Sequence, residues 1–193
     1  MKKNVDETYT LERITDPETE PVTVAEAKLH ARISHDTEDA TITGWIKSAR
    51  ILAEDFQRRS YIEQTWNVYF NGFPKTPITL HRGPLIVVLT ISYWNYLNVE
   101  TVLSNSDFII ANGKIALAYG EVWPTTVLRP FDSVKISYIT GYGDAATDVP
   151  ETVKDAITLY CGWRNEHRGE SDAEVPQQFY DTLQSKRLFG VMG

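Results

Sequence analysis

The chain has 193 residues, 42% of them hydrophobic and 23% charged, a balance that excludes wholesale disorder, collagen and a stand-alone coiled coil. Nineteen Lys and Arg against 26 Asp and Glu leave a net charge of −7, the wrong sign for a protein that grips nucleic acid through many phosphate contacts. The acidity is spread along the chain: −3 over residues 1–60, −2 over 61–149 and −2 over 150–193. The one cysteine, Cys161, can form no intrachain disulfide, which fits a reducing compartment. The longest apolar run, Leu85 to Leu89, falls far short of the ~20 residues of a membrane helix, and Met1–Asp6 is too polar for a signal-peptide core. A soluble chain is expected.

Residues 1–21 mix charge, Thr and two prolines without periodicity and read as an extended N-terminal arm. Thr23 and Glu26 then form a capping-box pair that opens a short helix, about 24–33, with Ala25, Leu29 and Ile33 on one face. Ser34 and His35 break it. Asp36 is positioned to cap a second helix carrying Glu38 and Asp39 in its first turn, and apolar residues recur at helical spacing from Ile42 to Phe56. Arg58 and Arg59 are expected in its last turn, at the negative end of the helix dipole.

From 61 to 149 the period becomes two. Trp66, Val68 and Phe70 alternate with polar neighbours, and further strands are predicted near 77–81, 85–94 and 133–140. Asn112-Gly113 predicts a two-residue hairpin opposing Ile110 to Ile115 and Phe108 to Leu117, with all four side chains on one face. Pro150 opens a helix with Val153, Ala156, Ile157, Tyr160 and Cys161 on one stripe, and a last helix is predicted over 176–188 around Phe179 and Leu183. The fold class is therefore α+β: a small helical bundle of 22–60 plus 150–168, interrupted by an antiparallel β-rich segment at 61–149 and followed by a C-terminal segment, 169–193.

Motifs for chemistry are weak. Gly141-Tyr142-Gly143-Asp144-Ala145-Ala146 has the G-x-G-x-x-A spacing of a dinucleotide-binding turn, but three residues and Pro150 intervene before helical signals resume, and Asp144 would repel phosphate. A structural loop is favoured. His30 and His35 are five apart across a helix break, the wrong spacing for a metal pair, and Cys161 and His167 are six apart, the wrong spacing for a dyad. No metal, cofactor or catalytic residue is assigned. A helix-turn-helix DNA reader would bring Asp36, Glu38 and Asp39 toward phosphates. Past Cys161 the apolar stripe continues as Arg164, His167 and Arg168 beside Trp163. These cations either leave the core and favour the helix dipole or, with Trp163 as an anchor, meet a partner. A carbohydrate or surface-binding β module is the other reading, and it requires exposed Trp and Tyr on the 61–149 sheet.

The stretch Val22-Thr23-Val24-Ala25-Glu26-Ala27-Lys28-Leu29-His30-Ala31-Arg32, followed by His35-Asp36, Glu38-Asp39 and Ile42, resembles the N-terminal helical signature of phage head-tail connector proteins. Gln64-Thr65-Trp66, Trp123-Pro124, Tyr138-Ile139-Thr140-Gly141-Tyr142-Gly143 and Val149-Pro150 extend the resemblance over about 22–168, to the longer branch in which a β-rich segment interrupts the bundle. The resemblance implies a virion protein, assembled in the host cytoplasm, without catalysis or cofactor. It implies a homo-oligomeric ring of about a dozen subunits beneath the portal of a tailed double-stranded DNA phage. DNA would pass through the lumen without sequence-specific binding; the partners would be the portal and a downstream connector or tail-completion protein, with no membrane. By position, residues 169–193 are the expected portal-docking segment. Trp163, Arg164, His167, Arg168, Phe179, Leu188 and Phe189 are the candidate interface.

Overall fold

The computed structural model describes residues 9–170 and 174–184, which divide into two units, one helical (17–63, 141–170 and 174–184) and one β-rich (9–16 and 64–140). In the helical unit, α1 (Val24–Ala31), α2 (Asp39–Gln57), α3 (Glu151–Glu166) and α4 (Gln177–Gln184) pack around one apolar core. The capping box forms as expected: Glu26 N–H donates to Thr23 Oγ1 at 3.2 Å and Thr23 N–H donates to the Glu26 carboxylate at 2.7 Å. The Thr23 hydroxyl, which also donates to the Glu26 carboxylate at 2.6 Å, and then the Thr23 N–H hold that carboxyl below the usual carboxylate range.

Three local expectations are corrected. First, of the Ala25–Leu29–Ile33 face only Ile33, beyond the end of α1, packs against the core. Ala27 is the buried residue of α1, Ala25 is exposed and Leu29 is 82% exposed. With only two turns, α1 takes its rotation from buried Val22, just before its cap, and from the left-handed Arg32 that ends it, not from its own periodicity. Second, Asp36 caps nothing. It and Asp39 both accept from Lys28 Nζ, the latter at 2.9 Å, and α2 starts at Asp39 with no side-chain cap on it. Third, α2 ends at Gln57, because Arg58 turns left-handed at φ 57° and donates its N–H to the Glu54 carbonyl. The two arginines lie past the last turn.

In the β unit, a five-stranded antiparallel sheet has the order β1 (Tyr9–Arg13), β2 (Gln64–Phe70), β8 (Val134–Thr140), β4 (Leu85–Trp94), β5 (Glu100–Val102). A three-stranded sheet has the order β3 (Ile78–Thr79), β7 (Lys114–Leu117), β6 (Phe108–Ala111). Trp66, Val68 and Phe70 from β2 and Val134, Ile136 and Tyr138 from β8 point to one side, into a core that they share with Ile78, Phe108 and Ile115. The segment expected as an arm supplies β1, in register from Tyr9 opposite Phe70 to Arg13 opposite Trp66. The β6–β7 hairpin has the expected register, with Asn112 at φ 52° and Gly113 at φ 71° making the turn. On its apolar face Ile115 is fully enclosed and Phe108 buried, whereas Ile110, on the edge strand, is exposed.

Cys161 lies inside the helical core, where burial pushes its thiol up to about 12. At pH 8 the folded protein should therefore hold about a thousandfold less thiolate than an ordinary cysteine. We expect Ellman's reagent to label it only in step with global unfolding by urea; full labelling within minutes in buffer would contradict that placement.

Candidate functional site

The candidate site is built on the C-terminal turns of α3. Tyr160, Trp163 and His167 stack along one side of the helix because they recur at three and four residues. The Trp163 and His167 rings lie 5.5 Å apart at 28°, and the Arg164 guanidinium sits 5.9 Å from the Trp163 centroid. His167 Nδ1 lies 2.9 Å from the Trp163 carbonyl, and since a carbonyl only accepts, Nδ1 carries the hydrogen. That hydrogen bond fixes the orientation of the imidazole on the end of α3.

Arg168 closes the site. Its guanidinium donates two bonds to the Glu38 carboxylate, Nη2 to Oε2 at 2.7 Å and Nη1 to Oε1, and stacks 5.1 Å over the Trp45 ring. Arg168 holds the Glu38 carboxyl below its ordinary value. Glu38, expected to present negative charge at a helix start, is instead the anchor for the end of α3. Trp163, Arg164 and His167 are half-buried and Arg168 is exposed. Phe179 stands apart from them: it is fully buried in the helical core, its ring 5.8 Å from Tyr160 and 5.2 Å from Tyr180. Leu188 and Phe189 lie outside the described residues. Sequence reading missed Phe56 and Tyr180, stacked at 5.0 Å, which continue the aromatic cluster to α2 and α4.

The Gly141–Gly143 loop is occupied by backbone. Tyr142 N–H donates to the Tyr61 carbonyl at 3.0 Å and Glu63 N–H to the Gly143 carbonyl at 2.9 Å, so the loop runs alongside 61–63. A 3-10 turn at Ala146–Asp148 follows, and α3 begins only at Glu151. No helix N-terminus stands beneath these glycines, as a pyrophosphate site requires.

His30 and His35 do not converge. The His30 ring packs against Gly162, where an added Cβ would meet it at 3.2 Å, and His35 Nδ1 lies 2.9 Å from the Thr37 hydroxyl. Among the described residues, no group of three or more His, Cys, Asp or Glu is arranged to hold a metal ion. The tryptophan faces of the β unit are engaged. Trp66 is buried, Arg129 and Lys135 stack 4.2 and 5.1 Å from the Trp94 ring, and Trp123 stacks on Phe73 at 4.9 Å. Of the Tyr side chains, Tyr96 and Tyr119 stand exposed on loops between strands, and Tyr9, exposed on β1, stacks on the His81 ring at 4.1 Å.

Stacked rings and paired charges thus line the end of α3, and the β unit leaves Tyr96, Leu97, Tyr119 and Val127 exposed on its loops. The family model described as phage gp6-like head-tail connector protein matches residues 21–115 of this chain. Its fold is similar to a chain of the virion of a native gene transfer agent particle, at 19% identity and TM-score 0.78, covering 95% of this chain and 97% of that one. Chains from the neck of the empty particle, computed with C6 symmetry, and of the native particle, computed with C12 symmetry, match at 19% identity and TM-score 0.77, over 95% of this chain and 98% of theirs. No curated protein matches.

Proposed function

We propose that this chain is the adaptor of a tailed double-stranded DNA phage or phage-like particle, a virion protein forming a ring of about a dozen copies beneath the portal. The observation that carries the reading is the connector match over residues 21–115 joined to a neck-protein fold over 95% of the chain. The ring would bind the portal above and a tail-completion protein below, altering no bond in either. Its acidity suits a DNA conduit. Each phosphate-neutralising contact adds counterion-release affinity and so drag on a passing duplex, and the chain carries −7.

The portal contact is assigned to the end of α3, through Trp163, Arg164, His167 and Arg168, and to the segment beyond α4 that holds Leu188 and Phe189. Since Phe179 is enclosed by its own chain, it supports this face from within. With purified portal, the wild type should form a complex visible as an added ring by negative-stain imaging. Arg164→Glu and a chain ending at Gln184 should each weaken portal co-sedimentation at least tenfold while leaving the far-UV circular dichroism unchanged. Binding at wild-type strength by both variants would remove this face, and absence of any wild-type complex with portal would remove the adaptor reading itself.

A further inference from the structure

The edges of the five-stranded sheet differ in character. β4 is ten residues long, yet it pairs with β5 only through Ser92, Tyr93 and Trp94. Among the described residues, the other side of Leu85–Thr90 from β8 receives no backbone hydrogen bond. This stretch, Leu-Ile-Val-Val-Leu-Thr, contains no charge and includes the longest apolar run of the chain. Its register with β8 skips a residue twice, at Ile86 and at Leu89. A bulge leaves its residue unpaired and re-aims the side chain. Here Ile86 and Leu89 are 45% and 44% exposed, and Val87 between them 43%. Bulges can serve to spoil an edge, but such edges are guarded by charge, by proline or by a covering element. These two bulges instead place isoleucine and leucine in water, where an unguarded row of N–H and C=O groups runs beside them.

The opposite edge of the same sheet is β1, five residues long and, among the described residues, paired only with β2. Every neighbouring pair in the order β1-β2-β8-β4-β5 is antiparallel, so β1 and β5 run in the same direction. A β1 carried by an adjacent copy in the same orientation therefore arrives antiparallel to β4, in line with β5. It would continue the ladder that β5 begins, and its five residues match the six left open. A ring closes only through two different complementary surfaces on each subunit, and the two edges of one sheet are such a pair.

We propose that Leu85–Thr90 of β4 accepts β1 of a second copy of this chain, joining the sheets of neighbouring subunits edge to edge. This rests on the ring reading above and names the strands that would close the ring.

The test is amide hydrogen exchange on the full chain, as monomer and as the ring assembled on portal, alongside Ile86→Lys/Leu89→Lys. Both substituted positions are already in solvent, so the monomer should keep its circular dichroism and Tm. We expect exchange at 85–90 and at 9–13 to slow together at least tenfold on assembly, and the double variant to lose rings while still binding portal. Rings in which both segments exchange at the monomer rate, or rings formed normally by the variant, overturn the edge pairing and leave the adaptor reading intact. Protection of 85–90 without 9–13 overturns β1 as the occupant. Failure of the wild type to form rings, with or without portal, overturns the pairing, and failure to bind portal at all overturns the adaptor reading as well.

Discussion

Arg50→Ala should cost the helical unit about 3–5 kcal/mol, because it strands a buried carboxylate. The Arg50 side chain is 1% exposed and forks between two acids: Nε and Nη2 donate to Glu20 at 2.7 and 3.1 Å, and Nη1 donates to Glu54 at 3.0 Å. Glu54 in turn accepts from the Tyr61 N–H at 2.9 Å; the Tyr61 hydroxyl donates to Gln57, and Gln57 Nε2 to the Leu183 carbonyl at 2.6 Å. Burial pushes the Tyr61 hydroxyl well above the ordinary tyrosine range, so it remains a donor. One network thus ties the segment before α1 to α2, to the chain leaving α2 and to α4. Urea denaturation followed by the helix signal measures the loss. Arg50→Lys should fall between, since an ammonium cannot make the fork. A set neutral throughout, Glu20→Gln/Arg50→Met/Glu54→Gln, should recover most of the difference, because no buried charge is then unpaired. A loss below 1 kcal/mol in Arg50→Ala would show that the ion pairs contribute little.

Gly141→Ala should be nearly as damaging, at about 3 kcal/mol or more, from strained backbone and overpacking together. Gly141 has φ 144°, a conformation that side chains rarely adopt, and a Cβ there would lie 2.8 Å from the Glu63 nitrogen and the Ile62 carbonyl carbon. Both are backbone atoms already committed to the pairing of 61–63 with 142–143. Gly143 is the internal comparison. Its added Cβ would meet only the Asp148 side chain, which can swing away at the loss of its 3.2 Å bond from the Ala145 N–H, a cost of about 1 kcal/mol. Equal Tm values for the two variants, or a larger drop for Gly143→Ala, would contradict this account. The same comparison separates a structural loop from a phosphate loop, in which both glycines would be needed for a ligand to approach.

The adaptor role proposed above requires docking surfaces outside the chain's own core. The buried charges are consumed within the helical unit, while the large apolar side chains left in water sit on α1, on the bulged edge of β4, on β1, β5 and β6, and on loops such as Tyr96-Leu97 and Val127. Leu29 illustrates the point. It recurs at helical spacing with Ala25, inside the segment that resembles the connector signature, yet the chain's own core does not take it.

Much of this was legible in local pattern. Alternation marked β2 and β8 to within a residue, Asn112-Gly113 specified both its turn and the register of β6 against β7, and Thr23 with Glu26 announced the start of α1. Each depends on neighbours no more than a few residues away, so the information is complete within a short stretch of chain. The α3 stripe was likewise readable as far as Cys161, where its residues pass from core to surface. What local pattern could not supply is anything set by a distant partner. The rotation of α1 is imposed by its buried flank at Val22, Asp36 is claimed by Lys28 eight residues back, and Glu38 is claimed by Arg168 from across the chain. Phe179 carries an aromatic ring that suits a docking face or a core equally well, and only the approach of α4 to Tyr160 buries it. The apolar run at 85–89 has the composition of a central strand. It becomes an open edge because β5 covers only three of its ten residues, a matter of strand order and length that side-chain periodicity does not encode.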